Sequence, residues 1–180
     1  MNTMKPIIFL FPVIALILVS ILYFSLLKNA TDKKVFNWYI FIITVLAFLL
    51  NFAWELIQIP LYKNAYYNVA HIAFCALASV ADVIMVLLLY FVFALIFRNL
   101  QWIQHLKWQR LVIVILIGGA GAALAEIWHL SSGNWEYADS MPIIPIANVG
   151  ISPVMQFMVL PLIVYFISFL LLNNYEKNNG

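Results

Sequence analysis

Long runs of apolar residues, separated by short polar connections, dominate the hydrophobic pattern of this chain. A helix that spans a bilayer needs about 20 mostly apolar residues. Five runs qualify, and they cover residues 6–27, 36–59, 69–97, 111–129 and 153–172. The pattern predicts an all-α fold, an integral membrane bundle of about five transmembrane helices in a single domain of residues 1–180. The connection at residues 130–152 is predicted to be a loop outside the membrane.

The composition supports a membrane protein and excludes several function classes. The 180 residues are 66% hydrophobic and 9% charged, whereas a soluble domain has roughly 25% charged residues. No basic run is present that could follow a phosphate backbone, so nucleic acid is not expected as a partner. Cys75 is the one cysteine, which excludes an internal disulfide and a CxxC motif. Membrane lipids are the expected partners.

Lysine and arginine are distributed unevenly between the two sides of the predicted bundle. One side has only Lys5 and Lys63, whereas the other carries Lys28, Lys33, Lys34, Arg98, Lys107, Arg110 and Lys177. The positive-inside rule therefore predicts an N-terminus outside the cell and a C-terminus in the cytoplasm. The expected location is the cell membrane, as a multi-pass protein, and this is the bacterial inner membrane if the host is Gram-negative. The first run has about 22 apolar residues, and we expect it to be retained as an anchor.

Polar residues inside the runs concentrate in one half of the bilayer. They are Asn51, Glu55 and Gln58 near the end of the second run, His71, Cys75, Ser79 and Asp82 in the first half of the third, and Glu126 and His129 at the end of the fourth. Consecutive spans run antiparallel, so these groups share one depth on the outer side. A charged group in hydrocarbon costs at least about 2.5 kcal/mol on insertion scales, so such a cluster indicates a functional site.

Helical periodicity places these residues on shared faces. At 100° per residue, the polar residues of the third run form one stripe, and those of the second fall within about 60° of one another. Glu126 and His129 share a face of the fourth run. Gly118, Ala122 and Ala125 on that face have the spacing that allows close helix packing. We therefore expect this face to point into the bundle.

These positions give three sets of candidate site residues. The predicted catalytic residues are the carboxylic acids Glu55, Asp82 and Glu126. The predicted substrate-binding residues are Asn51, Trp54, Gln58, Trp128, Trp135, Tyr137 and Gln156. A third set could hold iron, manganese or zinc, and it comprises His71, Glu126 and His129. The Glu-x-x-His motif recurs in di-iron bundles, although those bundles use it twice and this chain has it once.

The loop at residues 130–152 carries tryptophan, tyrosine, glycine and proline in close succession. Its apolar residues are too few and too interrupted by proline to span, so we expect a loop that dips into the membrane interface and covers the polar cluster. Pro153 is expected in the first turn of the last helix. Trp135 and Tyr137 either belong to an aromatic belt or line the mouth of an apolar substrate pocket.

Part of the chain, about residues 51–161, resembles a group of small bacterial integral-membrane proteins that have no biochemical assignment. The pattern is Asn51-x-x-Trp54-Glu55-x-x-Gln58-x-Pro60-Leu61-Tyr62, His71, Asp82, Glu126, Gly133-x-Trp135-x-Tyr137, Met141-Pro142 and Gly150-x-x-Pro153-x-x-Gln156. A glutamate followed by G-x-W-x-Y is also similar to membrane carotenoid cyclases and hydratases, which implies chemistry on an isoprenoid. Those families usually have paired acids where this chain has Ile143-Ile144-Pro145-Ile146.

Three classes of function remain open from the sequence. The first is an enzyme that acts on a lipid or isoprenoid entering sideways from the bilayer, since carboxyl groups in a dry site can hold protons near neutral pH and donate them. The second is a proton-coupled transporter, because acidic and histidine side chains form proton relays. The third is a structural or assembly subunit, either in a homo-oligomer or in a larger membrane complex, with the polar stripe buried against a partner. Independently of these classes, Asn51 and Gln58 could serve only to join helices by hydrogen bonds.

Overall fold

The computed structural model describes residues 10–179, except for the side chains at positions 176, 178 and 179. Within this part of the chain lie five long helices: α1 Leu10–Asn29, α2 Lys33–Gln58, α3 Val69–Ile96, α4 Trp108–Ser131 and α5 Ile151–Asn179. All five are long and apolar enough to cross a membrane. The predicted all-α membrane bundle is confirmed. The predicted start of the first span at Pro6, together with Lys5, lies outside the described residues.

The helix ends differ from the predicted ends by a few residues because polar caps, not hydropathy, determine where a helix begins. The Asp32 carboxylate accepts hydrogen bonds from the backbone N–H groups of Lys34 at 2.8 Å and Val35 at 3.0 Å. This cap starts α2 at Lys33, three residues before the apolar run. Asn68 caps α3 in the same way. Because α5 begins at Ile151, Pro153 lies in its first turn, as predicted.

Helices α2, α3 and α5 form the centre of the bundle. Helix α2 packs against both α3 and α5, and the Tyr165 hydroxyl on α5 donates to the Val86 carbonyl on α3 at 2.7 Å. Helix α1 packs on the outside of α3, and α4 packs on the outside of α5. The Phe11 ring of α1 also meets the Trp128 ring of α4 edge-on, with 4.8 Å between centroids. Each helix therefore has a defined neighbour.

Close packing of α4 against α5 depends on two glycines. A Cβ atom added at Gly118 would lie 2.3 Å from the Phe157 carbonyl oxygen, and one at Gly119 would lie 2.8 Å from Met158 Cγ. Pro161 has no N–H to offer the Phe157 carbonyl four residues earlier, so Gly118 approaches a carbonyl freed by proline. The predicted small-residue face holds for Gly118 and Ala122, which are buried, and is wrong for Ala125, which is exposed.

The two ends of the bundle differ in chemistry. We call the end that carries residues 28–34 and 97–110 the basic end, and the end that carries residues 55–71 and 126–156 the acidic end. Towards the basic end, four fully or almost fully buried aromatic side chains fill the space between α2, α3 and α5: Tyr39, Tyr90, Trp102 and Tyr165. The three tyrosine hydroxyls all donate to backbone carbonyls, so each of these tyrosines has its polar atom hydrogen-bonded.

The loop between α4 and α5 folds across the acidic end. It contains a small antiparallel hairpin, in which β1 Ile143–Ile144 pairs with β2 Val149–Gly150. Its first part is joined to the α2–α3 connection by an antiparallel bridge between Tyr62 and Tyr137. The Lys63 N–H also donates to the Glu136 carbonyl at 2.9 Å. The loop therefore covers the polar cluster, as expected. The backbone hydrogen bonds that hold it to the α2–α3 connection were not predicted from the sequence pattern.

Candidate acid–amide site

The side-chain amide of Gln156 lies at the centre of the polar groups. Its nitrogen is 2.9 Å from Asn51 Oδ1, 3.1 Å from Asp82 Oδ2 and 3.3 Å from Glu55 Oε1. The side chain is only 2% exposed. One amide on α5 therefore binds polar groups of both α2 and α3, and it brings two of the three predicted catalytic acids together.

A second glutamine extends this network to the acidic end. The Gln58 amide nitrogen donates to Glu55 Oε1 at 2.7 Å and approaches the Gln156 amide oxygen at 3.5 Å. The Gln58 oxygen accepts from the Ser152 hydroxyl at 3.1 Å. Gln58 is buried, so both of its polar atoms are used inside the protein. The start of α5 is thereby linked to the end of α2.

Acceptors outnumber donor hydrogens in this network. The Gln156 amide has two N–H hydrogens, yet its nitrogen faces three acceptor oxygens. Among the described residues the recorded salt bridge is the exposed pair Lys63 and Glu136, at 3.4 Å, which lies outside the network. The carboxyl groups of Glu55 and Asp82 are therefore held by amides rather than by a cation. A carboxyl group held in this way can bind and release a proton at its oxygen atoms.

Glu126 supplies a third carboxyl group from α4. It is 7% exposed, and it accepts hydrogen bonds from Trp135 Nε1 at 3.3 Å and from the Tyr137 hydroxyl. Its carboxyl group lies within electrostatic range of Glu55 and Asp82. The predicted catalytic acids therefore lie in one electrostatic neighbourhood, and the loop residues Trp135 and Tyr137 hold the third of them in place.

Tyr62 lies beside all three acids, and the sequence analysis assigned it no role. Burial raises the pKa of Tyr62, and the nearby carboxyl groups of Glu126, Glu55 and Asp82 raise this pKa further. Its hydroxyl therefore stays protonated and can donate. Its ring contacts the rings of Trp135 and Tyr137, with centroids 6.2 and 5.6 Å apart. The sequence feature that could have identified Tyr62 is its position, one residue after the helical turn Ile59–Leu61 that follows Gln58.

The Tyr137 hydroxyl is also held in its neutral form. Burial is the main cause that raises the pKa of Tyr137, and the hydrogen bond to Glu126 raises this pKa further. A neutral phenol is a hydrogen-bond donor. Tyr62 and Tyr137 therefore place two protonated hydroxyl groups at the mouth of the acid cluster.

His129 lies in an aromatic stack rather than against the acid cluster. Its ring stacks on Trp135 with centroids 4.0 Å apart and meets Trp128 at 4.6 Å. Its Nδ1 atom lies 2.9 Å from the Asn134 amide nitrogen. Trp128 in turn contacts Phe11 of α1. This stack forms the α4 side of the cover over the site.

The predicted stripe on α3 contributes only Asp82 to the amide network. Cys75 and Ser79 are buried, and they bond to backbone carbonyls, Cys75 to Glu55 at 3.9 Å and Ser79 to Cys75 at 2.7 Å. His71 lies in the first turn of α3, and its buried Nδ1 atom has no hydrogen-bond partner. Cys75 and Ser79 are thus packing residues in this arrangement.

The predicted metal ligands are not gathered into one cluster. Within residues 10–179, no group of three or more histidine, cysteine, aspartate and glutamate side chains is placed to hold a metal ion. Glu126 and His129 share Trp135 as a neighbour, whereas the ring of His71 lies against Tyr66. A metal at His71, Glu126 and His129 stays a prediction, which elemental analysis of the purified protein can test.

The predicted substrate-binding residues fall into two groups. Asn51, Gln58 and Gln156 are part of the network, and Trp135 and Tyr137 bond to Glu126. Trp128 contacts the His129 ring, and Trp54 precedes Glu55 on α2. Trp54 is half-buried, and its indole N–H is shielded from solvent without a hydrogen-bond partner. That donor is free for an acceptor on a bound molecule.

No protein-family model matches the chain, and no curated protein or solved structure matches it either. Both resemblances noted from the sequence therefore stay predictions. The functional interpretation rests on the geometry of the acid–amide site.

Proposed function

We propose that the protein is a membrane enzyme that modifies a lipid or isoprenoid by proton transfer at the acid–amide site. The observation that carries this proposal is the Gln156 amide nitrogen, which lies within 3.3 Å of carboxyl oxygens of both Glu55 and Asp82. Two carboxyl groups that face the same amide nitrogen without a cation repel each other when both are charged, so one of them can hold a proton. One member of the pair then offers a proton, and the other offers a negative charge.

These two properties suit acid catalysis on an apolar substrate. In the proposed reaction, the Glu55 carboxyl group donates its proton to one carbon of a double bond, and Asp82 stabilises the cation that forms. Water then adds to the cation and its released proton returns to Glu55, so the net change is addition of water. Glu126 is the alternative proton donor, since it belongs to the same cluster and is bonded to the Tyr137 hydroxyl. Gln156 and Gln58 act as positioning residues, because they fix the carboxyl groups by hydrogen bonds.

The surroundings of the site support an apolar substrate. Indole rings can stabilise a developing positive charge by cation–π contact, and Trp135 bonds directly to Glu126. Glu55 and Asp82 are half-buried rather than fully enclosed. A substrate in the bilayer can therefore reach them between the helices, without passing through the aqueous phase.

The packing at the basic end counts against the transporter alternative. Tyr90, Trp102 and Tyr165 are completely buried there, and the tyrosine hydroxyls are bonded to backbone carbonyls. These aromatic side chains stand between the acid cluster and the other membrane surface. Proton flux into liposomes that depended on Glu55 or Asp82 would instead favour transport.

A role as an assembly subunit is a second candidate, and one exposed feature favours it. Ile146 lies in the hairpin connection and is 99% exposed, so a partner protein could cover it. Capture of the protein from its native membranes separates the two roles, because a subunit brings a fixed partner and an autonomous enzyme does not. Under both proposals the N-terminus lies outside the cell and the C-terminus lies in the cytoplasm.

The proposal is tested by mass spectrometry of total lipid and isoprenoid extracts from cells with and without the gene. The expected result is a mass that requires the gene, and its difference from a second mass that accumulates without the gene names the modification. Identical extracts under a range of growth conditions would contradict the proposal.

A further inference from the structure

A groove of about 590 Å³ lies at the basic end of the bundle, far along α2 from the acid–amide site. It is lined by Lys33, Lys34, Asn37, Trp38, Phe41 and Tyr175. The first five residues belong to the start of α2, and Tyr175 belongs to the last part of α5. From Lys33 to Phe41 the groove follows nine residues of α2, whose first and last Cα atoms are about 12 Å apart along the helix axis. It therefore runs from the membrane surface into the apolar zone.

The deeper wall of the groove is aromatic. The Trp38 ring stacks on Phe41 with centroids 5.4 Å apart, and it contacts the Tyr175 ring at 5.5 Å. Trp38 is 39% exposed and Phe41 is 55% exposed. Flat, partly exposed rings at this depth offer a surface on which an acyl chain can lie.

The outer rim of the groove is cationic. Lys33 and Lys34 are both exposed, and neither forms a salt bridge with any side chain that the structure describes, a set that leaves out positions 176, 178 and 179. Asp32 is the neighbouring acid, and its carboxylate is engaged by the backbone N–H groups at the start of α2. Two ammonium groups beside one carboxylate leave the rim with a net positive charge, which can attract an anion. Asn37, whose side-chain oxygen accepts from Tyr23, adds an amide donor.

We propose that this groove binds one anionic phospholipid of the surrounding bilayer. The lipid phosphate lies between Lys33 and Lys34, and one acyl chain lies along Trp38 and Phe41. A basic rim at the head-group level followed by an apolar wall matches the order of groups along a phospholipid. This site is separate from the proposed enzyme site, and it would stand if that function were wrong.

The expected preference for anionic lipid follows from the two charges. Each lysine near the membrane surface attracts anionic lipid more strongly than zwitterionic lipid. We therefore expect phosphatidylglycerol to be retained roughly tenfold or more over phosphatidylcholine with the same acyl chains. Native mass spectrometry of the full-length protein, released from micelles that contain equal amounts of the two lipids, measures this ratio.

Replacing both lysines in one variant, Lys33→Gln with Lys34→Gln, should bring the ratio close to one. The matched control is Lys107→Gln, which removes an exposed lysine just before α4 at the same end of the bundle, and it should keep the wild-type ratio. Because all three lysines are exposed, the variants should melt at the wild-type temperature. Trp38→Ala should lower retention of both lipids while it leaves their ratio unchanged.

Inorganic phosphate distinguishes a lipid from a free anion. Millimolar phosphate should not displace bound phosphatidylglycerol, because it lacks the acyl chain that contacts the aromatic wall. Equal retention of the two lipids, an unchanged ratio in the double lysine variant, or full displacement by phosphate would each overturn the proposal.

Discussion

Gln156 on α5 donates a hydrogen bond of 3.1 Å to Asp82 on α3, 74 positions earlier in the sequence. The same amide nitrogen bonds to Glu55 and Asn51 on α2. Since α2, α3 and α5 form the centre of the bundle, this nitrogen joins its three central helices at the depth of the acid cluster. The bond therefore connects the stability of the fold to the position of the proposed catalytic groups.

Gln156→Leu tests that connection. Leucine has a similar size but no amide, so the substitution leaves the oxygens of Asn51, Glu55 and Asp82 without their shared donor. We expect the free energy of unfolding to fall by about 1–2 kcal/mol and the proposed activity to fall with it. Thermal unfolding in detergent, followed by tryptophan fluorescence, measures the loss. The neighbouring variant Met155→Leu, at an exposed position, should behave as wild type, and equal stability of the two variants would show that the amide network is not structural.

A glycine pair on α4 tests the close packing of α4 against α5. In Gly118→Ala the new Cβ would lie 2.3 Å from the Phe157 carbonyl oxygen, so the helices must separate, and we expect a loss of about 1–3 kcal/mol. A Cβ at Gly121 meets no atom within 4 Å. Gly121→Ala should therefore be neutral or stabilising by up to about 1 kcal/mol. Similar melting temperatures for the two variants would contradict the packing described here.

Tyr137→Phe should show a dependence on pH. Burial, and then the hydrogen bond to Glu126, raises the pKa of Tyr137 above its ordinary value of 10.0. A raised pKa means that folding favours the neutral phenol, so its contribution to stability is complete below about pH 10 and is lost as the pH rises further. Removing the hydroxyl should cost about 1 kcal/mol near pH 7, and this cost should shrink above about pH 10. Unfolding curves of both proteins across this range measure it, and a constant difference would mean that the hydroxyl is not held neutral by the fold.

The orientation in the membrane can be tested with single cysteines. Cys75 is replaced by serine to give a cysteine-free background, and Lys63→Cys and Lys34→Cys are then made separately. Lys63 and Lys34 are exposed at opposite ends of the bundle. In intact cells a membrane-impermeant maleimide should label position 63 and should reach position 34 only after the membrane is permeabilised. The reverse pattern would place the N-terminus in the cytoplasm.

Hydropathy was sufficient to predict the helices but not their ends. The five runs predict five spans because a helix satisfies the backbone groups of each run within the run itself. The start of α2 was missed by three residues because Lys33 and Lys34 are polar, and the Asp32 cap that places them in the helix is invisible to hydropathy. Asp32 is a residue type that favours the start of a helix, so this cap could have been predicted from the sequence.

The depth of the acid cluster was also predictable, whereas its contacts were not. Antiparallel spans place Glu55, Asp82 and Glu126 at one level; in the structure Glu55 and Asp82 meet at one amide nitrogen, and Glu126 lies within electrostatic range of both. The rotation of α5 about its axis depends on packing that no single-helix pattern contains. Gln156 was therefore predicted only as a substrate-binding residue, although its amide is the group that bridges two of the acids.

The central claim is that the buried acids carry out chemistry on a membrane lipid. The most direct measurement is the product mass in lipid extracts from cells that lack the gene and are complemented with Glu55→Gln, Asp82→Asn, Glu126→Gln or the control Glu136→Gln. Glu136 is exposed and pairs with Lys63 outside the acid–amide network. We predict that each of the first three lowers product by roughly 10²- to 10⁴-fold at equal protein level, and that the control keeps it. Wild-type product from all four variants would contradict the claim.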